Sequence, residues 1–119
     1  VILADTSVWV DHFVQSDEVL IRLLDDGEVV IHPFILSELA CGNFKNRKSI
    51  LALLNDLPVI KKISDDEYFL FVDRHRLYGI GLGFVDIHLL AAALMARCSF
   101  YTRDKSLLAA ATSFEIEYT

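Results

Sequence analysis

Four carboxylates stand in apolar company, where a charge is costly unless something compensates it. Asp5 ends the run VILAD, Glu38 lies inside ILSELA, Asp86 inside FVDIHLLAAAL, and Asp104 ends CSFYTRD. Taken singly, each has an ordinary use. Asp86 caps a helix, Asp5 and Asp104 sit in turns, and Glu38 pairs with an arginine. A shared edge changes that balance, because like charges a few ångströms apart repel by about 4 kcal/mol per pair at an intermediate dielectric. A cluster of this kind persists with a cation between its members or with raised pKa values. Oxygen-only ligation suits Mg²⁺ or Mn²⁺, and the Cys/His spacing of a zinc site is missing. The chemistry expected is a carboxylate metal site.

The elements that must position these acids follow from periodicity. VILAD (1–5) and EVVIHP (28–33) read as strands, LPVIKKI (57–63) as a third, CSFYTRD (98–104) as a fourth and FEIEY (114–118) as a last one. Helices are expected over 7–14, over 17–26 with Gly27 as its C-terminal cap, and over FILSELACG between Pro33 and Gly42. Others are expected over 45–55, over 85–97 and over 107–112. Ser64 with Glu67 forms a capping box opening a helix to about Tyr78. Strands alternate with helices and are apolar on both faces, which predicts a parallel sheet covered on each side, an α/β/α sandwich. In such sheets ligands bind beyond the carboxyl ends of the strands, where Asp5 and Asp104 both fall. Glu38 and Asp86 lie in early turns of helices near the same rim.

The other acids have blander explanations. Asp65, Asp66 and Glu67 complement a helix dipole in its first turn. Asp25 and Asp26 flank Gly27. Asp11, Asp17, Glu18, Asp56 and Asp73 read as surface or turn residues, and Glu115 and Glu117 as the wet face of an edge strand. The four histidines lack metal-ligand spacing, and His88 reads as structural. GIGLGF lacks the GxGxxG spacing of a phosphate loop and serves as a flexible lead into the Asp86 helix. Trp9, Phe13, Leu20 and Leu24 read as core, or else as an apolar surface for a second protein.

Composition sets the frame. With 119 residues, 54% of them hydrophobic, the chain is expected to be one globular domain over 1–119. The longest wholly apolar run, Leu89 to Ala96, is far shorter than the roughly 20 residues of a membrane helix. No basic region precedes the first apolar residues, so a secretory signal is not expected. Cys41 and Cys98 fit buried thiols in a reducing cytoplasm. A net charge of −6 disfavours a nucleic-acid binder working through a broad positive surface, but not an enzyme whose acids are neutralised by metal.

DTSVWVDHF, HPFILSELACG, GIGLGFVDIHLLAAALM and FYTRDKSL occur in the order and spacing of PIN-domain proteins, and the chain most resembles the VapC toxins of bacterial type II toxin–antitoxin pairs. Carried over residue by residue, the resemblance implies an acidic centre of Asp5, Glu38, Asp86 and Asp104, serving as catalytic residues and metal ligands, with Thr6 and Ser7 as supporting hydroxyls. It further implies a three-layer PIN-like fold with a mostly parallel central sheet and Mg²⁺-dependent (or Mn²⁺-dependent) cleavage of RNA. A homodimer, a VapB-like antitoxin partner and no membrane association complete the expectation. For RNA contact, Arg103 and Lys105 flank a proposed ligand, whereas Lys45, Arg47 and Lys48, like Arg74 and Arg76, read as solvated helix faces. Two other readings stay open. A PIN-like binding module would use its acids only to hold a structural ion. An aspartate-based phosphoryl-transfer domain needs a second acid two residues after the first, where Ser7 stands; a receiver domain needs an aspartate after LPVIKKI, which has none.

Overall fold

The computed structural model describes residues 1–119 throughout. Three short parallel strands form the sheet in the order β2-β1-β3: β1 (Ile2–Ala4), β2 (Val29–Val30) and β3 (Ser99–Tyr101). Ile2 pairs with Val29 on one side and Ser99 on the other, and Ala4 with Tyr101. All three β1 residues are buried. Successive strand residues point to opposite faces, so both faces of the central strand are covered, as in a sandwich.

Seven helices supply the cover: α1 (Thr6–Val14), α2 (Glu18–Asp25), α3 (Pro33–Ala40), α4 (Arg47–Asn55), α5 (Asp65–His75), α6 (Phe84–Ala96) and α7 (Lys105–Ser113). Helix α3 packs on α1 and α4, and α6 packs on α5, α7 and β3. Ile87 through Ala93 are buried without interruption, so the middle of α6 is enclosed on all sides, which explains its apolar run from Leu89. Leu3, Ala4, Trp9, Ile35, Leu89, Leu90 and Phe100 belong to one contiguous core around the sheet.

Two expected strands shrink to single bridges. LPVIKKI touches β2 only through Ile31 and Val59, the Ile31 N–H donating to Pro58 O (2.9 Å) and the Ile60 N–H to Ile31 O (2.9 Å). Pro58 has no N–H to extend the ladder, and Lys61 and Lys62 stay exposed at this edge. FEIEY touches β3 only through Phe100 and Glu117, because Glu115 is in the left-handed region (φ 59°) and breaks the run. The five extended segments nevertheless lie in one parallel array with β1 at its centre.

Helix ends shift slightly. Helix α5 stops at His75 rather than about Tyr78, with Arg76 left-handed at its end. Helix α7 runs two residues further N-terminally, to Lys105, because the Asp104 side chain caps it. The Ser64–Glu67 capping box forms as expected, with Ser64 N to Glu67 Oε1 at 2.8 Å and Glu67 N to Ser64 Oγ at 3.1 Å.

Candidate acidic active site

Strand β1 delivers Asp5 directly to the start of α1. Its backbone N–H donates to Tyr101 O (3.0 Å), which continues the β1–β3 ladder by one residue and fixes where the side chain emerges. Asp5 occupies the N-cap position of α1, yet its carboxylate makes no capping bond. Both oxygens serve hydroxyls: Ser7 Oγ donates to Oδ1 (2.6 Å) and Thr102 Oγ1 to Oδ2 (2.9 Å). The residue is only 4% exposed. Burial pushes its pKa above the ordinary carboxylate value, the two hydroxyls pull part of the way back, and the negative charge of Asp86 adds to the rise.

The other three acids are held at one oxygen each. Asp104 Oδ1 accepts from the Leu107 N–H (2.9 Å), capping α7, while the Asp104 N–H donates to Thr102 Oγ1 (3.0 Å). Thr102 therefore links Asp5 to Asp104. Asp86 Oδ2 accepts from the Gly83 N–H (3.0 Å) at the start of α6, and Glu38 Oε1 accepts from Thr6 Oγ1 (2.6 Å). The second oxygen of Asp104, Asp86 and Glu38 has no hydrogen-bond partner in the chain. The capping roles foreseen as ordinary uses of Asp86 and Asp104's turn are thus real, but each consumes half a carboxylate.

The structure brings Asp5 and Asp104 to one threonine, Asp86 within electrostatic reach of Asp5, and Glu38 to the hydroxyl of the residue after Asp5. It does not bring three acids to one point: no three Asp, Glu, His or Cys side chains lie close enough together to hold an ion. That spacing suits Mg²⁺ better than a closed cage would, because Mg²⁺ commonly takes one or two carboxylates and fills its octahedron with water and substrate phosphate. The donor set is oxygen only, and the pressure on Asp5 to take up a proton is what a neighbouring cation relieves. The residues fit the group.

A cavity of roughly 380 Å³ lies beside this centre, with Thr6 and Glu38 in its wall together with Val10, Phe13, Phe44 and Lys45. Phe13 and Phe44 stack with centroids 4.5 Å apart.

The cations are disposed differently from expectation. Arg103 does not reach outward freely: its guanidinium donates to Asp17, and lies 3.7 Å from Asp11. Lys105 is exposed and without an ion-pair partner. Arg47 folds back on the carbonyls of Gly42 (3.0 Å) and Ala40. Two residues escaped the reading of the sequence. Thr102 sits two residues before Asp104, as Ser7 sits two after Asp5, a symmetry of hydroxyl and acid that could have marked it. Asp17, read as a polar-face or turn residue, is buried, with both oxygens engaged.

Known proteins resemble the chain over most of its length. A family model described as PIN domain matches residues 2–112. The chain is 44% identical over 110 residues to Ribonuclease VapC32 in each of two strains of Mycobacterium tuberculosis, covering 92% of this chain and 89% of the relative. Among solved structures it resembles PAE2754 from Pyrobaculum aerophilum, with a TM-score of 0.65 and 17% identity over 91% of this chain and 82% of that one. At that identity the likeness speaks for the fold alone.

Proposed function

The chain belongs to the PIN-domain family, in its VapC branch, and on that premise we propose that it is a ribonuclease toxin working through Asp5, Glu38, Asp86 and Asp104 with a divalent ion. The observation that supports the site assignment is the buried Asp5 carboxylate within electrostatic reach of Asp86, joined through Thr102 to Asp104 and followed in sequence by Thr6, which holds Glu38. Bound Mg²⁺, or Mn²⁺, supplies Lewis acidity toward a phosphate oxygen and lowers the pKa of a water near the reacting phosphorus.

The chain's own residues do the rest. Asp5 and Asp104, tied through Thr102, present oxygens from two adjacent strand ends. Asp86 and Glu38 approach from helices α6 and α3 and orient water by their open oxygens. Ser7 and Thr6 hold Asp5 and Glu38 in place. Hydrolysis adds the water oxygen to phosphorus and breaks the bond to the leaving ribose oxygen, and one of the partly exposed carboxylates accepts the proton released.

With a net charge of −6 and Arg103 paired to Asp17, affinity for bare RNA is modest and falls with salt. A VapB-like antitoxin, a homodimer and a cytoplasmic place of action belong to the same reading. No helix is long and apolar enough to cross a membrane. The test is cleavage of an RNA panel with Mg²⁺ and with excess chelator. Chelator-sensitive cutting is expected; a chain that binds RNA or an ion but cuts nothing would be a binding module instead.

A further inference from the structure

We propose that Asp17 is a positioning residue for the acidic centre, clamping the segment Tyr101–Asp104 so that Thr102 and Asp104 face Asp5; the proposal rests on the ribonuclease reading above. Nothing in its local sequence requires this. An N-cap of α2 needs one oxygen, and Asp17 Oδ1 supplies it to the Leu20 N–H at 2.9 Å. The second oxygen is committed across the fold: Oδ2 accepts from Tyr101 Oη at 2.9 Å and from the Arg103 guanidinium. The Asp17 N–H donates in turn to His12 Nδ1 (2.9 Å), so the residue is anchored to α1 as well as α2. At 6% exposure the carboxylate is a fixed post.

The gripped segment is extended, and alternate side chains of extended chain point to opposite sides. Tyr101 and Arg103 turn toward Asp17. Thr102 turns the other way, donating to Asp5 and accepting the Asp104 N–H, which fixes the backbone from which the Asp104 side chain emerges. Between them the Arg103 N–H donates to Ser7 Oγ (3.2 Å), the hydroxyl that also serves Asp5. Two bonds on one side thus set the register of three on the other. Arg103 accordingly acts through Asp17, not on RNA, and this replaces the expectation drawn from its place beside Asp104. Because Asp17 is buried, loss of the Arg103 charge leaves its carboxylate without a counter-ion, whereas Arg103 itself is partly exposed and keeps Asp11 at 3.7 Å.

Asp17→Asn keeps a capping oxygen and removes the charge; Arg103→Gln removes it from the other side. Hydrogen exchange of the metal-free full chain, Mn²⁺ titration and steady-state RNA cleavage are measured on both, on the double variant and on Arg103→Lys. Each single variant is expected to speed exchange at 101–105, weaken Mn²⁺ binding about tenfold and lower kcat about tenfold, the lower end of losses seen when supporting residues of a metal site are removed. KM for RNA stays unchanged, the double variant is no worse than either single one, and Arg103→Lys recovers part of the loss. Unchanged exchange and unchanged Mn²⁺ affinity in both single variants would overturn the proposal. So would an Arg103→Gln variant that raises KM for RNA and flattens its salt dependence while Asp17→Asn does nothing. Absence of Mn²⁺ binding and RNA cleavage in the unmodified chain would sink the ribonuclease reading instead, and exchange at 101–105 would still decide whether Asp17 holds the segment.

Discussion

Asp5 is the residue where stability and chemistry pull in opposite directions. Its charge is buried and its pKa raised by that burial, so the ionised form needed to attract a cation is the form the metal-free fold tolerates least. Asp5→Asn keeps an acceptor for Ser7 or Thr102 and removes the charge. The variant is expected to melt at a higher temperature than the unmodified chain without metal, while cleavage falls by several kcal/mol of transition-state stabilisation, roughly a thousandfold or more. Thermal unfolding with chelator and cleavage with Mg²⁺ check the two halves separately; a variant that cuts RNA at the original rate would remove Asp5 from the centre. Thr102→Val tests the link between the strands, because it takes a donor from Asp5 and an acceptor from the Asp104 N–H at once. About a tenfold loss of kcat is expected, the scale of losing a residue that supports metal ligands. A normal rate would mean that Asp5 and Asp104 do not depend on their shared threonine.

Among the elements, sequence pattern located the helices well because their signals are local. The Ser64 capping box, Pro33 at the start of α3 and Gly27 after α2 each act within a turn of the chain they punctuate. The sheet was harder to read, since a strand's length depends on partners far away: LPVIKKI and FEIEY carry strand composition but find one bridge each. The same distinction runs through the site. Asp5, Glu38 and Asp86 stood out because a charge inside apolar sequence is anomalous locally, and Asp104 because it ends an apolar strand as Asp5 does. Asp17 did not, because its partners Tyr101 and Arg103 are 84 and 86 residues away. Helix ends also leave room for improvement. Arg97 closes α6 at φ 56°, a conformation in which a side chain is strained and glycine is not. Arg97→Gly is expected to stabilise the chain by up to about 1 kcal/mol with activity unchanged, read from denaturant unfolding. A destabilised variant would mean that the Arg97 side chain contributes more than its backbone costs.

At the scale of the molecule, acid is the stress the fold is built least to meet. His32 is fully buried, accepts the Phe34 N–H at Nδ1 (2.9 Å) and has no partner for Nε2. Burial, then the nearby His88 and Lys62, lower its pKa from 6.5 to about 4. His88, stacked on Tyr68, is lowered too, chiefly by burial. An unfolded chain takes up these protons near pH 6.5 and the folded one does not, so this contribution is complete above that pH and lost as pH falls toward 4. Asp5 works oppositely, since its raised pKa lets the folded state hold a proton that the unfolded chain has released. Asp17 is lowered, because hydrogen bonds from Leu20, Tyr101 and Arg103 outweigh its burial, and its help is lost only below the ordinary carboxylate range. The histidines dominate between pH 6.5 and 4, where stability is expected to fall by on the order of 2–3 kcal/mol. His32→Asn keeps an N-cap acceptor and should flatten that slope; an equally steep slope would assign the acid sensitivity elsewhere. A last consequence comes from the common direction of the strands. Since every strand delivers its cargo at one rim, the turn at Asp26–Gly27, just before β2, lies at the opposite rim, exposed and remote from the acids, while Glu28 beside it holds the Val1 ammonium (2.9 Å). It offers natural anchorage for a fluorophore or a peptide tag.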